Sequence, residues 1–255
     1  MSQKTIKNFI SLALTHQIMQ TGLRDTRFGI SLGLAFVGGY ADAASFLLAQ
    51  TFTGHLTGNC VLAAVSVASR EWNLAADRLL AAGVFIAGIL ASLMLSQFIP
   101  HTWKRYSLAI SVCAEVLLIV IACMFLATLA NKEGFIVCMC LALGIQNDAL
   151  RKTNGISVHS TYMTGMVTTL LQKSFAHFFR LSDTKEASTS KSSDAAIRVL
   201  AKMWLTFIGG AFTGATIVVF FHIGGLLLLV LPLILLVYVE VNSKMSDTIC
   251  KSQLS

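Results

Sequence analysis

The sequence predicts an all-α fold: a polytopic transmembrane bundle of two internal repeats, with six full spans plus two short helices that are re-entrant or broken, or else eight spans. Three observations carry this. Of the 255 residues, 55% are hydrophobic and only 12% charged, about half the roughly 25% charge of an ordinary soluble domain. Runs free of Lys, Arg, Asp and Glu recur at the length that crosses a bilayer, about 18–20 residues. A polar, glycine-bearing pattern also occurs twice, as FTGHLTGNCV over 52–61 and as STYMTGMVTT over 160–169.

The elements follow in order. Residues 1–27 place Ile6, Phe9, Ile10, Ala13 and Leu14 at helical spacing among Lys4, Lys7 and His16, the pattern of a cytoplasmic amphipathic helix on the membrane surface. No apolar h-region with a cleavage site follows, so no cleavable signal is expected. A first span covers 28–49. The apolar stretch 56–69 is only about 14 residues long, short for a crossing. Spans are expected over 79–98, stopped by Pro100, then over 106–130 and 135–150. A second short element covers 156–172, and a Ser-, Thr- and charge-rich flexible loop covers 173–197. Spans at 199–220 and 224–241 flank a turn at 221–225, and 242–255 form a cytoplasmic tail. On this division the first membrane repeat is 28–130 and the second 131–241.

The repeat rests on matched landmarks. GGYADAASF begins at Gly38 and GIQNDALRK at Gly144, which pairs Asp42 with Asp148. A Thr-Gly element follows each, and RLLAAGVFIAG from Arg78 matches RVLAKMWLTFIGG from Arg198. Repeated halves are a common build for secondary transporters, whose sites lie between the halves near mid-membrane. If both short elements are re-entrant, the halves are inverted; if both cross, they are parallel.

The net charge of +7 sits in termini and connecting segments, where it reads as a topology signal facing anionic lipid. It predicts that both termini are cytoplasmic. No basic patch with interleaved aromatics is present, so no nucleic-acid partner is expected. The partners expected are the lipid bilayer and a small polar solute or ion, and oligomeric state is not legible. The six cysteines lack the spacing of a metal site and read as small apolar residues. No HExxH, GxSxG or P-loop pattern occurs, so neither an enzyme activity nor a cofactor or metal is expected.

The candidate pathway residues are the polar groups inside apolar segments. Asp42 lies deep in the first span, where an ionised carboxylate costs about 2.5–3.5 kcal/mol even on a lenient scale. A proton, a cation, a wet cavity or a bonded helix pair would relieve it. Glu115 meets the same penalty in its own span. His55, Thr57, Gly58 and Asn59 open the first short element, where Thr57 or Asn59 could cap a helix and expose N–H groups to an anion. Gln146, Asn147 and Asp148 occupy the matching place in the second half, with Thr161, Thr164 and Gly165 in its Thr-Gly element. For each, the competing reading is a hydrogen bond that fastens two helices. No Lys or Arg lies deep in any of the spans as drawn.

These motifs resemble the YoaK-like family of uncharacterised bacterial multispanning membrane proteins. The likeness rests on GGYADAASF with FTGHLTGNCVL and on GIQNDALRK with TYMTGMVTTL, and spans about 28–241. It falls residue by residue on Asp42, Thr57, Gly58, Asn59, Gln146, Asn147, Thr164 and Gly165. What the resemblance implies is a multispanning inner-membrane protein without an assigned activity. From the residues themselves the expected function is a small secondary transporter or permease, with a proton as a candidate coupling ion. The alternative is a non-transport membrane scaffold or assembly protein.

Overall fold

The structure, a computed structural model, describes residues 3–100, 102–149, 163–178 and 187–254. Among these, all regular structure is helical: α1 (Gln3–Ala49), α2 (Leu56–Ala68), α3 (Trp72–Phe98), α4 (Ser107–Leu129), α5 (Lys132–Ala149), α6 (Met163–Phe178), α7 (Ala187–Phe221), α8 (Ile223–Leu227) and α9 (Val230–Leu254), with a 3₁₀ turn at Lys104–Tyr106. Five segments are long and apolar enough to cross a membrane: Thr26–Ala49, Trp72–Phe98, Ser107–Leu129, Ala196–Phe221 and Ile223–Met245. The chain is therefore a multi-pass membrane protein. α5 is shorter and sits inside, with Phe135, Ile136, Met139, Cys140, Ala142 and Leu143 all buried, as a helix apolar on every side must be.

Side chains are sorted as a bilayer requires. On α3, Ala75, Ala81, Ala82, Gly88 and Ser92 face inward, while Leu79, Ile86, Leu90 and Met94 face outward. Small residues inside let backbones approach, and large apolar ones meet lipid tails at no cost.

Some expected boundaries move. The helix expected as a separate surface element over 1–27 runs without a break into the first span from Gln3. The flexible loop expected over 173–197 is helical wherever it is described, in α6 and in the first turns of α7. The tail after 241 continues α9. A helix with enough good formers propagates past its apolar part, because each added residue brings one backbone bond. α3 begins at Trp72 rather than 79, so Arg78 lies two turns inside it and is buried. The span drawn from 79 left Arg78 just outside; with the helix starting at Trp72 it lies inside. The turn placed at 221–225 is present: His222 has φ 50°, which ends α7 and starts α8.

The short element 56–69 turns back. Arg78 Nε donates to Gln50 O at 3.3 Å, and its Nη1 donates to Leu62 O at 2.9 Å and to Ser66 Oγ. A crossing would carry the end of α2 about 30 Å from the end of α1; here one guanidinium touches Gln50 at the end of α1 and Leu62 and Ser66 of α2. α1 therefore reaches one face, the chain dips inward, and α2 climbs back to the same face. α2 has 13 residues, about 20 Å at 1.5 Å per residue. The first short element is re-entrant.

Helix directions follow from paired contacts. Lys202 lies over the Phe28 ring, Gly210 against the Phe36 carbonyl and Gly214 against the Tyr40 carbonyl, so α1 and α7 run parallel. Asp77 near the start of α3 pairs with Lys132 at the start of α5 at 2.7 Å, and Phe85 and Gly88 meet Gly144 and Leu141 further on. α3 and α5 are therefore parallel too. Phe36 and Gly39 stand to Gly210 and Phe207 as Leu141 and Gly144 stand to Gly88 and Phe85. In each pair a glycine lies on the partner's carbonyl, where any Cβ would collide. α2 packs on α3 and α6 on α7, α9 on α1 and α4 on α5, and α4 meets α9.

Candidate functional site

The site is the inward dip at 50–55. Gln50 has φ 55° and ends α1 in a left-handed conformation. The next residues lie in no helix, so their backbone groups need partners inside an apolar bundle. Side chains supply them. Asp42 Oδ1 accepts the N–H of Thr53 at 3.0 Å and of Gly54 at 2.6 Å. Its Oδ2 accepts from His55 Nδ1 at 2.5 Å. Asn59 closes a two-way pair with Phe52: its Oδ1 accepts the Phe52 N–H at 3.0 Å and its Nδ2 donates to Phe52 O at 2.6 Å. Thr53 Oγ1 donates to Ser45 Oγ at 3.3 Å. The loop returns to Asp42 about two turns below the end of α1.

Sterics tighten the clamp. Gly54 lies so close to the Asp42 carboxylate and Leu143 that a Cβ would press on both, at 3.2 Å from each. The Phe52 ring stacks on Phe46 with centroids 4.7 Å apart. His55 lies between Phe52 and Phe207, at 5.5 and 5.9 Å. Asp42 is 4% exposed, whereas the His55 side chain is 32% exposed. The buried carboxylate thus reaches the surface of the bundle through one imidazole, and α7 contributes the Phe207 wall beside it.

The expected pathway residues do not form one wall. Asp42, His55 and Asn59 meet at the dip. Thr57 is exposed and Gly58 half-buried against the Phe52 ring. The capping role expected for Thr57 or Asn59 is corrected: α2 starts after His55 with no side-chain cap, because the Asn59 amide is spent on Phe52. Gln146 takes no part in the dip's bonds, donating instead from Nε2 to Leu34 O at 3.3 Å, two turns of α1 from Asp42. Glu115 is fully buried in α4. Asn147 is half-buried and Gly165 exposed. Thr161 and the side chains of Asp148 and Thr164 lie outside the described residues.

Sequence reasoning missed Thr53, Gly54, Phe52, Ser45 and Arg78. Thr53 and Gly54 act through backbone N–H groups, which leave no mark in composition. Arg78 had a legible signal: a lone arginine at the head of an apolar run, able to bond several carbonyls at once.

Compared with known proteins, residues 30–239 match a family described as "Protein of unknown function (DUF1275)". The transmembrane protein YoaK of Bacillus subtilis (strain 168) is 27% identical over 171 residues, which cover 66% of this chain and 74% of YoaK. No solved structure matches.

Proposed function

The chain belongs to the DUF1275 family, and we propose that this multi-pass membrane protein is a small secondary permease for a small polar solute or ion. The observation behind this reading is the re-entrant segment 50–68, an irregular backbone inside the bundle held by Asp42, His55, Asn59 and Arg78. Non-helical backbone at membrane depth is tolerated where protein buries it or where it lines a cavity, and transporters place their sites at such breaks.

In this reading the halves are inverted repeats of three crossings each. The equivalent glycine contacts of α1 with α7 and of α5 with α3 support it. So does charge. In the six-crossing scheme all but Arg70, Arg78 and Lys132 of the 19 lysines and arginines fall toward the face that carries both termini. The positive-inside rule makes that face cytoplasmic, in a cell inner membrane. The re-entrant segment then opens from the opposite face, and movement of the clamped dip against Phe207 of α7 is the gate.

The test is two-sided access. Thr57→Cys and Gly58→Cys, each in a cysteine-free chain, are treated with a membrane-impermeant maleimide in right-side-out and in inverted vesicles. A permease exposes these positions to both faces in turn, so both preparations label. Labelling from the re-entrant face alone is the outcome of a static bundle. That second reading, a scaffold, has one observation in its favour: both oxygens of Asp42 are already bonded within the chain.

A further inference from the structure

Three buried oxygens in the described residues have no hydrogen-bond partner: both carboxyl oxygens of Glu115 and Oε1 of Gln146. They share a region. α4 and α5 form an antiparallel pair joined at Ala130, with Phe125 of α4 against Gly134 of α5. Counting back along α4 and forward along α5 from that contact brings Glu115 level with Gly144, within a turn of Gln146. The turn of α5 just before this level, at Cys140 and Leu143, borders the re-entrant dip. Glu115 has no exposed surface, and the contrast with Asp42 is direct. Asp42 has every oxygen occupied by loop donors, whereas Glu115 has none.

We propose that Glu115 is the residue at which this protein takes up and releases a proton, while Asp42 is a latch that holds the re-entrant loop. The inference rests on the permease reading and assigns its coupling site. A carboxylate without donors in hydrocarbon is untenable as a permanent charge. A proton removes the charge and turns one orphan acceptor into a donor, and the nearest level on α5 offers Gln146 Oε1 to receive it. Three oxygens from two side chains are too few by themselves to enclose calcium or magnesium, which take six or more ligands.

The surroundings leave the proton to Glu115. Among the side chains the structure describes, the charged and titratable groups on the elements packed against α4 are Lys104 and Tyr106 on the 3₁₀ turn, Lys132, Glu133, Cys138 and Cys140 on α5, and Tyr238, Glu240 and Lys244 on α9; α8 carries none. Lys132 is held by Asp77, and Glu240 faces Lys244 at 3.6 Å. None of them bonds Glu115.

The experiment uses dicyclohexylcarbodiimide, an apolar reagent that attacks protonated carboxyls, on the full chain in proteoliposomes, with peptide mass spectrometry as readout. Glu115 is expected to be modified at low pH and at least tenfold more slowly at high pH, with Asp42 unmodified throughout. Glu115→Gln removes the adduct, and the infrared band of a protonated carboxyl is lost with it. The wild-type titration stands alone if that variant folds poorly. No adduct at Glu115 at any pH, an adduct rate independent of pH, or protection by sodium ions at constant pH overturns the proposal. The two readings fail separately: one-sided maleimide labelling with a titrating Glu115 removes the permease and leaves the proton site.

Discussion

Asp42 and Gly54 meet across the end of a helix. The carboxylate accepts the glycine N–H at 2.6 Å, although Ala49 ends α1 between them. That one bond brings the chain back into the bundle, and four others on the same carboxylate and on Asn59 keep it there.

Removing the carboxylate should therefore loosen the dip. Asp42→Ala orphans the N–H groups of Thr53 and Gly54 and the ring of His55, at about 1–3 kcal/mol for each buried group left unpaired. We expect a loss of about 2–5 kcal/mol, read as a lowered midpoint of thermal unfolding in detergent. Asp42→Asn keeps one acceptor oxygen and should cost about half as much. An Asp42→Ala protein with wild-type stability would contradict the clamp.

Arg78 acts as a fork, and lysine is not a fork. Arg78→Lys cannot reach the Gln50 and Leu62 carbonyls and the Ser66 hydroxyl together. A cycle of Arg78→Ala and Ser66→Ala should be non-additive by about 0.5–3 kcal/mol, whereas Arg78→Ala with Ser96→Ala, far along α3, should be additive. Equal coupling in both cycles would mean that Arg78 does not hold the two ends of the segment.

Glycines divide by what a methyl group would strike. Gly39→Ala and Gly144→Ala drive a Cβ into the Phe207 and Phe85 carbonyls, and overpacking of this kind costs about 1–3 kcal/mol. Gly29 and Gly83 have nothing within 4 Å. Their alanine variants should gain up to about 1 kcal/mol from helix propensity and a less free unfolded chain. Thermal unfolding of the four variants side by side checks the sign of each.

The six-crossing scheme makes a topological prediction. Single cysteines replacing Arg70 and Asn131 should label from one face with an impermeant maleimide. Those replacing Thr102 and Ser252 should label from the other. Labelling of positions 70 and 102 from one side would break the scheme.

Local information was enough for much of this protein. Hydropathy and charge, which each residue carries with it, marked the membrane class, the long spans, the turn at His222 and the brevity of the element after Asp42. The burial of Asp42 and Glu115 was legible for the same reason: a carboxyl in an apolar run has nowhere else to be. Hydrogen bonding is not local. Whether 56–69 crossed or returned depended on one arginine reaching both Gln50 before it and Leu62 and Ser66 within it. Which carboxyl was satisfied depended on backbone N–H groups that composition does not record. The close approaches of Gly39 to the Phe207 carbonyl and of Gly144 to the Phe85 carbonyl were not legible either, because backbone contact between helices depends on how they pack. Composition thus determined what must be buried, and packing decided what each buried group would meet.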